Sequence, residues 1–144
     1  MSAYSWHRGA ATRRRDHTTD VPHILLIQRL RAPFQGAWAF PGGFVEENED
    51  LLDAAIRETV EETGFIVDKN DPSLRQIGAF GAPQRDPRGW TVSVAYTVVG
   101  TFRAQAISAQ DDAQAVGWFP ISALPKLAFD HTDMLAAALV RPTC

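Results

Sequence analysis

GFVEENEDLLDAAIRETVEETGF, Gly43 to Phe65, is the stretch whose reading decides the fold. All six glutamates of the chain (Glu46, Glu47, Glu49, Glu58, Glu61 and Glu62) fall inside it, and every other acidic residue is an aspartate. Leu52, Ala55, Ile56 and Thr59 recur at helical spacing and predict a helix over 50–63 with one buried stripe. Asn48 or Asp50 can cap its start, and Gly64 stands where a left-handed C-terminal cap is wanted. Glu58, Glu61 and Glu62 lie at i, i+3 and i+4 and so share one face, expected opposite or flanking the apolar stripe. Carboxylates ~5 Å apart repel by roughly 3 kcal/mol at an effective dielectric of about 20, whereas an Arg57–Glu61 pair returns only about 0.3–0.5 kcal/mol. A hard divalent cation offsets that repulsion better, and carboxylate oxygens are the donors magnesium prefers. On an arbitrary helix the same pattern is a solvated acidic face, where the repulsion drops to about 1 kcal/mol. Here Gly42 and Gly43 allow close backbone approach just ahead of the helix, and Arg29 upstream suits a phosphate, which together favour a metal-binding face.

Outward from the helix, the chain reads as loosely alternating strands and helices, a mixed α/β domain. Ile24 to Ile27 form a buried strand ending in Gln28 and Arg29, and Ala37 to Phe40 form a short strand between Pro33, Gly36 and the run Pro41-Gly42-Gly43. Further strands are expected at Phe65 to Val67, Leu74 to Phe80 and Val116 to Phe119. Thr91 to Val99 is the strongest of them, because Val92, Val94, Tyr96 and Val98 alternate with Ser93, Ala95 and Thr97. A last helix is expected from Asp130 to Val140, with Asp130 as its cap. Residues 1–20 are polar and aperiodic and read as an irregular arm or edge element, with Arg13, Arg14 and Arg15 solvated.

The 144 residues suit one domain, and 45% hydrophobic content supplies a core. A formal net charge of -3 makes nucleic acid an improbable main partner. Cys144 has no partner in the chain, so no disulfide framework exists, and no apolar run nears the ~20 residues that span a bilayer. A cytoplasmic location is expected, with no membrane association.

The residues of the acidic stretch resemble the Nudix hydrolase family. Gly43, five residues, Glu49, seven residues, Arg57-Glu58, Thr59, Val60, Glu61-Glu62, Thr63, Gly64 and Phe65 match the Nudix box at every fixed position; only Thr59 stands where a larger aliphatic residue is usual. Leu25 to Arg29 and Gly36 to Gly43 look like the family's lead-in, and the likeness runs over about residues 22–140. The resemblance implies a Nudix-type α/β/α sandwich with a mixed sheet over residues 21–144, in which the box makes a loop–helix–loop metal site. By that likeness Glu58, Glu61 and Glu62 are metal ligands and catalytic residues, the Gly43 carbonyl adds a ligand, and Arg57 and Glu49 orient helix and loop. The metal would be Mg2+, with Mn2+ as a substitute, activating a water that attacks phosphorus. No glutamate follows Glu62, so the general base is either a box glutamate, which is favoured, or Asp111 or Asp112.

Arg85 to Trp90, with Asp111-Asp112-Ala113 and Leu124 to His131, look like the branch of ADP-ribose pyrophosphatases and ADP-ribose-sensing regulators. The substrate implied is a small nucleotide, ADP-ribose, cleaved to AMP and ribose 5-phosphate. Arg29, Arg85 and Arg88 would bind its oxygens, and Trp90, Phe80 or Trp38 could stack on adenine. Arg85 and Arg88 can equally be a surface loop pairing with Asp86, Trp38 and Trp118 suit core packing better, and His131 suits a local packing role. Two rivals remain: a nucleoside triphosphate pyrophosphohydrolase, with oxidised nucleotides among its candidate substrates, and a non-catalytic ADP-ribose sensor. Sensor relatives carry a winged-helix domain after the Nudix domain, and its absence before Cys144, with the full box, is taken to favour catalysis. A homodimer is compatible with this reading.

Overall fold

The computed structural model describes residues 5–7, 10–16, 19–100 and 106–140, with backbone alone for those up to 21 and for 100. The strands are β1 (Ser5–His7), β2 (Ala10–Asp16), β3 (Thr19–Arg29), β4 (Trp38–Ala39), β5 (Arg75–Phe80), β6 (Thr91–Gly100) and β7 (Ala113–Pro120). The helices are α1 (Leu51–Thr63) and α2 (His131–Leu139). All the strands join one mixed sheet. β6 runs parallel to β1 and β2 and antiparallel to β5, while β3 runs antiparallel to β2, β4 and β7.

Period-two alternation along β3 and β6 feeds two apolar layers. Ile24 and Leu26 of β3 and Ala95 of β6 pack with Met134 and Leu135 of α2. Leu25 and Val98 face the other way with Phe65 and the half-buried Ile56, and Val94 and Tyr96 cover Ala55 of α1. The sheet is therefore sandwiched between α1 and α2. Trp38 and Trp118 are packing residues, meeting Phe119 and Phe65 edge-on with ring centroids 4.6 and 5.8 Å apart.

Both ends of α1 follow from local chemistry. The Asp50 carboxylate accepts the Leu52 amide at 2.9 Å, so Asp50 is the N-cap. Gly64 at φ 71 turns its amide back to Val60 O at 2.8 Å, a conformation that costs glycine little. Thr59 is fully buried and donates its hydroxyl to Ala55 O at 2.8 Å, which explains how a polar residue stands where an aliphatic one is usual.

Several expectations need correction. Residues 1–20 are not an irregular arm: over the described backbone they supply β1, β2 and the start of β3, with β1 at the end of the strand order, an edge element as expected, and β2 between β6 and β3. The side chains of Arg13, Arg14 and Arg15, and all of Cys144, lie outside the described residues. Phe65 to Val67 make no strand. Phe65 and Val67 are buried and Ile66 is exposed, so the alternation is real, but no neighbouring strand pairs with it. Asp130 occupies the N-cap position of α2, yet its side chain bonds no helix amide. Among the described residues no helix is long and apolar enough to cross a membrane.

Candidate active site

The loop after β4 and the C-terminal half of α1 enclose a cavity of about 440 Å³. Glu58 and Glu62 of the helix face it, together with the backbone of Gly42 and Gly43 and the later acids Asp111 and Asp112. Arg29, from the end of β3, and Arg88, from the loop before β6, also line it. Acid and base are thus gathered in one space.

Contacts to the end of α1 bring the aspartates there. Ser108 N donates to Thr63 O at 3.0 Å and Gln110 N to Glu62 O at 3.1 Å, so the segment caps the open helix carbonyls and delivers Asp111 and Asp112 beside the glutamates. Leu30 N donates to Asp112 O at 3.2 Å and ties this segment to the end of β3.

Glu62, beside the apolar stripe, is buried with Thr59 and Thr63 and only 6% exposed. Its Oε2 accepts the Gly42 amide at 2.8 Å. Burial outweighs that bond and, with Glu58 nearby, pushes its carboxyl up to about 8. Burial likewise raises Glu58, against the opposing bond from Arg57. The Glu58 carboxylate lies so close over Gly43 that a Cβ there would meet its oxygens at 2.5 and 2.7 Å. A side chain at position 43 would have to displace that carboxylate.

Glu61 is placed differently. Its carboxylate is half exposed and accepts Arg57 Nη1 at 3.0 Å, outside the cavity lining. Glu58, Glu61 and Glu62 are therefore not brought together, and among the described residues no trio of His, Cys, Asp or Glu is close enough to hold a metal ion. The donor set nevertheless fits a hard cation: the buried Glu62, the half-buried Glu58 and two aspartates border one cavity, and desolvation without a cation disfavours the glutamates' charged forms.

Arg57 ties helix to loop. Nε donates to Glu49 Oε1 at 2.7 Å and Nη2 to Glu49 Oε2 at 3.1 Å, a bidentate pair. Nη2 also reaches Phe44 O at 3.2 Å, and Nη1 donates to Glu58 at 2.9 Å. These bonds, the one to Glu49 foremost, hold the Arg57 guanidinium above its ordinary range. Glu49 Oε2 in turn accepts the Glu46 amide at 2.9 Å.

The four residues expected to bind substrate part company. Arg29 and Arg88 reach the cavity, whereas Arg85 and Trp90 do not. Arg85 is buried and bonded through Nε and Nη2 to both oxygens of Asp130, at 2.8 and 2.6 Å, so its charge secures the start of α2. Trp90 is 82% exposed and borders a separate, more apolar cavity with Gly81, Pro83 and Val92. Phe80 and Trp38 belong to the core around Phe40. Arg88 is gripped by the buried Asp86, whose Oδ2 accepts Nη2 at 2.7 Å and whose Oδ1 accepts Nε at 3.0 Å. Arg29 donates Nε to Pro33 O at 2.7 Å, and burial, aided by the nearby Arg88 charge, lowers its pKa. His131 accepts the Phe40 amide on Nδ1 at 3.1 Å and stacks on the Phe40 ring, a packing role.

Phe44 and Phe129 were not foreseen as parts of this neighbourhood, though Arg88 lies over both rings with its Cζ 5.4 Å from each centroid. An aromatic near a glycine pair or a helix start carries no distinctive sequence pattern, and only the fold places it against a guanidinium.

A family model described as the NUDIX domain matches residues 6–138. The ADP-ribose pyrophosphatase of Methanocaldococcus jannaschii is 42% identical over 115 residues, covering 78% of this chain and 63% of that protein. The ADPR responsive transcriptional repressor NtrR of Acinetobacter baylyi is 39% identical over 122 residues, 82% of this chain and 47% of that protein. The chain thus spans less than two thirds of the length of either relative. Among solved structures, the NUDIX domain of Shewanella oneidensis NrtR complexed with ADP ribose superposes with a TM-score of 0.84 at 31% identity, covering 96% of this chain and 88% of that one. NrtR of that organism is also known complexed with a 27mer DNA, at a TM-score of 0.69 and 28% identity over 92% of this chain and 59% of that one.

Proposed function

Because the chain belongs to the Nudix family, we propose that it is a divalent-metal-dependent hydrolase that splits the diphosphate of ADP-ribose into AMP and ribose 5-phosphate. The observation that carries this reading is the two-signed cavity, with Glu58, Glu62, Asp111 and Asp112 set against Arg29 and Arg88. A diphosphate needs both signs: cations for its oxygens and carboxylates for the metal that accompanies it.

Glu58 and Glu62, with the Gly43 carbonyl, would hold the metal, and Glu61 would join them on leaving Arg57. Magnesium is the expected ion, with manganese as its substitute. When bound it neutralises phosphate oxygens and acidifies a water. The protein's own part is to hold the helix against the loop through Arg57 and Glu49, to present Arg29 and Arg88 to the phosphates, and to take the proton of the attacking water. A box glutamate is the favoured acceptor of that proton, with Asp111 or Asp112, which border the same cavity, as the alternative.

A non-catalytic ADP-ribose sensor is the second reading, favoured by the 39% identity to a repressor of that response. The DNA complex of an NrtR keeps nucleic acid among the partners open to the family. The cytoplasm is the proposed location, from the cysteine usage.

A panel of ADP-ribose, other nucleoside diphosphate derivatives and nucleoside triphosphates, incubated with magnesium and resolved by chromatography, decides between these readings. AMP and ribose 5-phosphate from ADP-ribose are expected. Preferred turnover of a triphosphate overturns the substrate, and tight ADP-ribose binding without products identifies a sensor.

A further inference from the structure

Phe129 stands at φ 50, a left-handed conformation that bulky side chains rarely adopt. Its ring lies under two guanidinium groups, with Arg29 Cζ 4.9 Å and Arg88 Cζ 5.4 Å from the centroid. The arginines come from distant parts of the chain, one from the end of β3 and the other from the loop before β6, and both border the acidic cavity. Two like charges do not gather unaided, and Asp86 already offsets that of Arg88. The negative face of an aromatic ring is one of the few neutral groups that attracts a guanidinium, and a shared ring attracts both.

The ring is itself held in place. Phe34 packs against it with centroids 4.8 Å apart, and His131 at 5.6 Å. Ala128 N, immediately before it, donates to Trp38 O at 2.7 Å and docks this segment on β4. The unusual backbone angle and the two guanidinium contacts are separate observations that coincide on one residue.

We propose that Phe129 is a positioning residue, an aromatic floor that presents Arg29 and Arg88 side by side as a clamp for a diphosphate-bearing anion. The proposal rests on the reading that the cavity takes a diphosphate. Phe129 touches the arginines, not the reacting atoms, and acts through them. Without the ring Asp86 still holds Arg88 and Pro33 O still holds Arg29, but the surface both guanidinium groups share is lost, and the anion must order its own clamp at the expense of affinity.

The test compares Phe129→Leu, which keeps apolar bulk without the ring, with Phe129→Tyr, which keeps the ring. Binding of inorganic pyrophosphate in magnesium is followed by calorimetry, and KM and kcat are followed on ADP-ribose. Phe129→Leu is expected to weaken pyrophosphate binding by about tenfold and raise KM to match, with kcat little changed, while Phe129→Tyr stays within about twofold of wild type. A lowered melting temperature in Phe129→Leu with unchanged pyrophosphate affinity makes the residue merely structural and overturns the proposal. Should Phe129→Leu not fold, pentafluorophenylalanine at position 129 keeps the shape and inverts the ring's charge distribution. The same tenfold loss is then expected, and unchanged affinity overturns the proposal. A wild-type protein that binds pyrophosphate but turns over no ADP-ribose refutes the substrate reading and leaves the clamp standing. One that binds no pyrophosphate refutes the clamp.

Discussion

The amide of Gly42 donates to Oε2 of Glu62 at 2.8 Å, across twenty residues of chain, and it does so inside a protein interior that resists the carboxylate's charge. The bond favours ionisation and burial opposes it; burial prevails, and the carboxyl titrates at about 8.

That balance predicts how stability varies with pH. The folded-state pKa of Glu62 lies above the ordinary 4.5, so between about 4.5 and 8 the native state holds more protons than the unfolded one. Its contribution to stability is present in full below that window and is lost as pH rises through it, on the order of 5 kcal/mol in all. In chelator the melting temperature is expected to fall from pH 5 to pH 8, and Glu62→Gln should flatten the decline. Saturating magnesium should flatten it as well, because a cation favours the ionised carboxylate, and metal binding at neutral pH should release about one proton. Thermal melts at several pH values and calorimetry in buffers of different ionisation heat measure both effects. Identical slopes for wild type and Glu62→Gln would sink the assignment.

Glu61 sits on Arg57 outside the cavity lining, and its proposed role requires it to turn inward. Glu61→Gln is expected to cut turnover by at least about a hundredfold, a transition-state loss near 3 kcal/mol, while leaving the fold intact because no buried volume is removed. Steady-state kinetics at saturating magnesium check this. Rates near wild type would remove Glu61 from the catalytic set.

The Arg57–Glu49 clasp is bidentate, and both side chains are mostly buried. Arg57→Lys keeps the charge but loses the fork, and should cost roughly 1.5–3 kcal/mol of stability. Turnover should fall about tenfold or more, since the glycine loop and the helix are no longer in register. A chemical denaturation curve alongside a kinetic assay tests the pairing of the two losses. Lost activity without any loss of stability would mean that Arg57 acts on the substrate directly.

Arg85 and Arg88 lie three residues apart in one loop, yet only Arg88 borders the cavity, so different effects on substrate are expected for them. Arg85→Ala leaves Asp130 uncompensated in the interior and should cost about 3–5 kcal/mol of stability. Arg88→Ala leaves the buried Asp86 without its ion pair and should also cost stability, but it should in addition lower kcat/KM on ADP-ribose by about ten- to a hundredfold, with less effect on a nucleoside triphosphate. Melting temperatures and a two-substrate comparison separate the cases. A pair of variants that behave alike would contradict the placement of the two side chains.

Much of this was legible in the chain itself. The extent of α1, its Asp50 cap and its Gly64 stop depend on residues within a few positions of one another, so periodicity and capping chemistry sufficed. The strand at Thr91–Gly100 likewise announced itself by alternation. The family was written in the fixed spacing from Gly43 to Phe65.

What only the tertiary structure decided is which charge has a partner already. Glu58, Glu61 and Glu62 form one acidic cluster in the sequence, but the glycine loop folds over one side of the helix, buries Glu62 and leaves Glu61 to Arg57. Arg85 and Arg88 look equivalent in a loop, but Asp130, forty-five residues on, claims one and Asp86 braces the other beside the cavity. The polar start of the chain carries no apolar rhythm, and its strands exist because the β3 and β6 backbones offer them hydrogen bonds. Local rhythm sets helix and strand because those hydrogen bonds and apolar faces recur within a few residues. The pairing of buried charges depends on distances between segments far apart in the chain, and those distances are set by the folded structure.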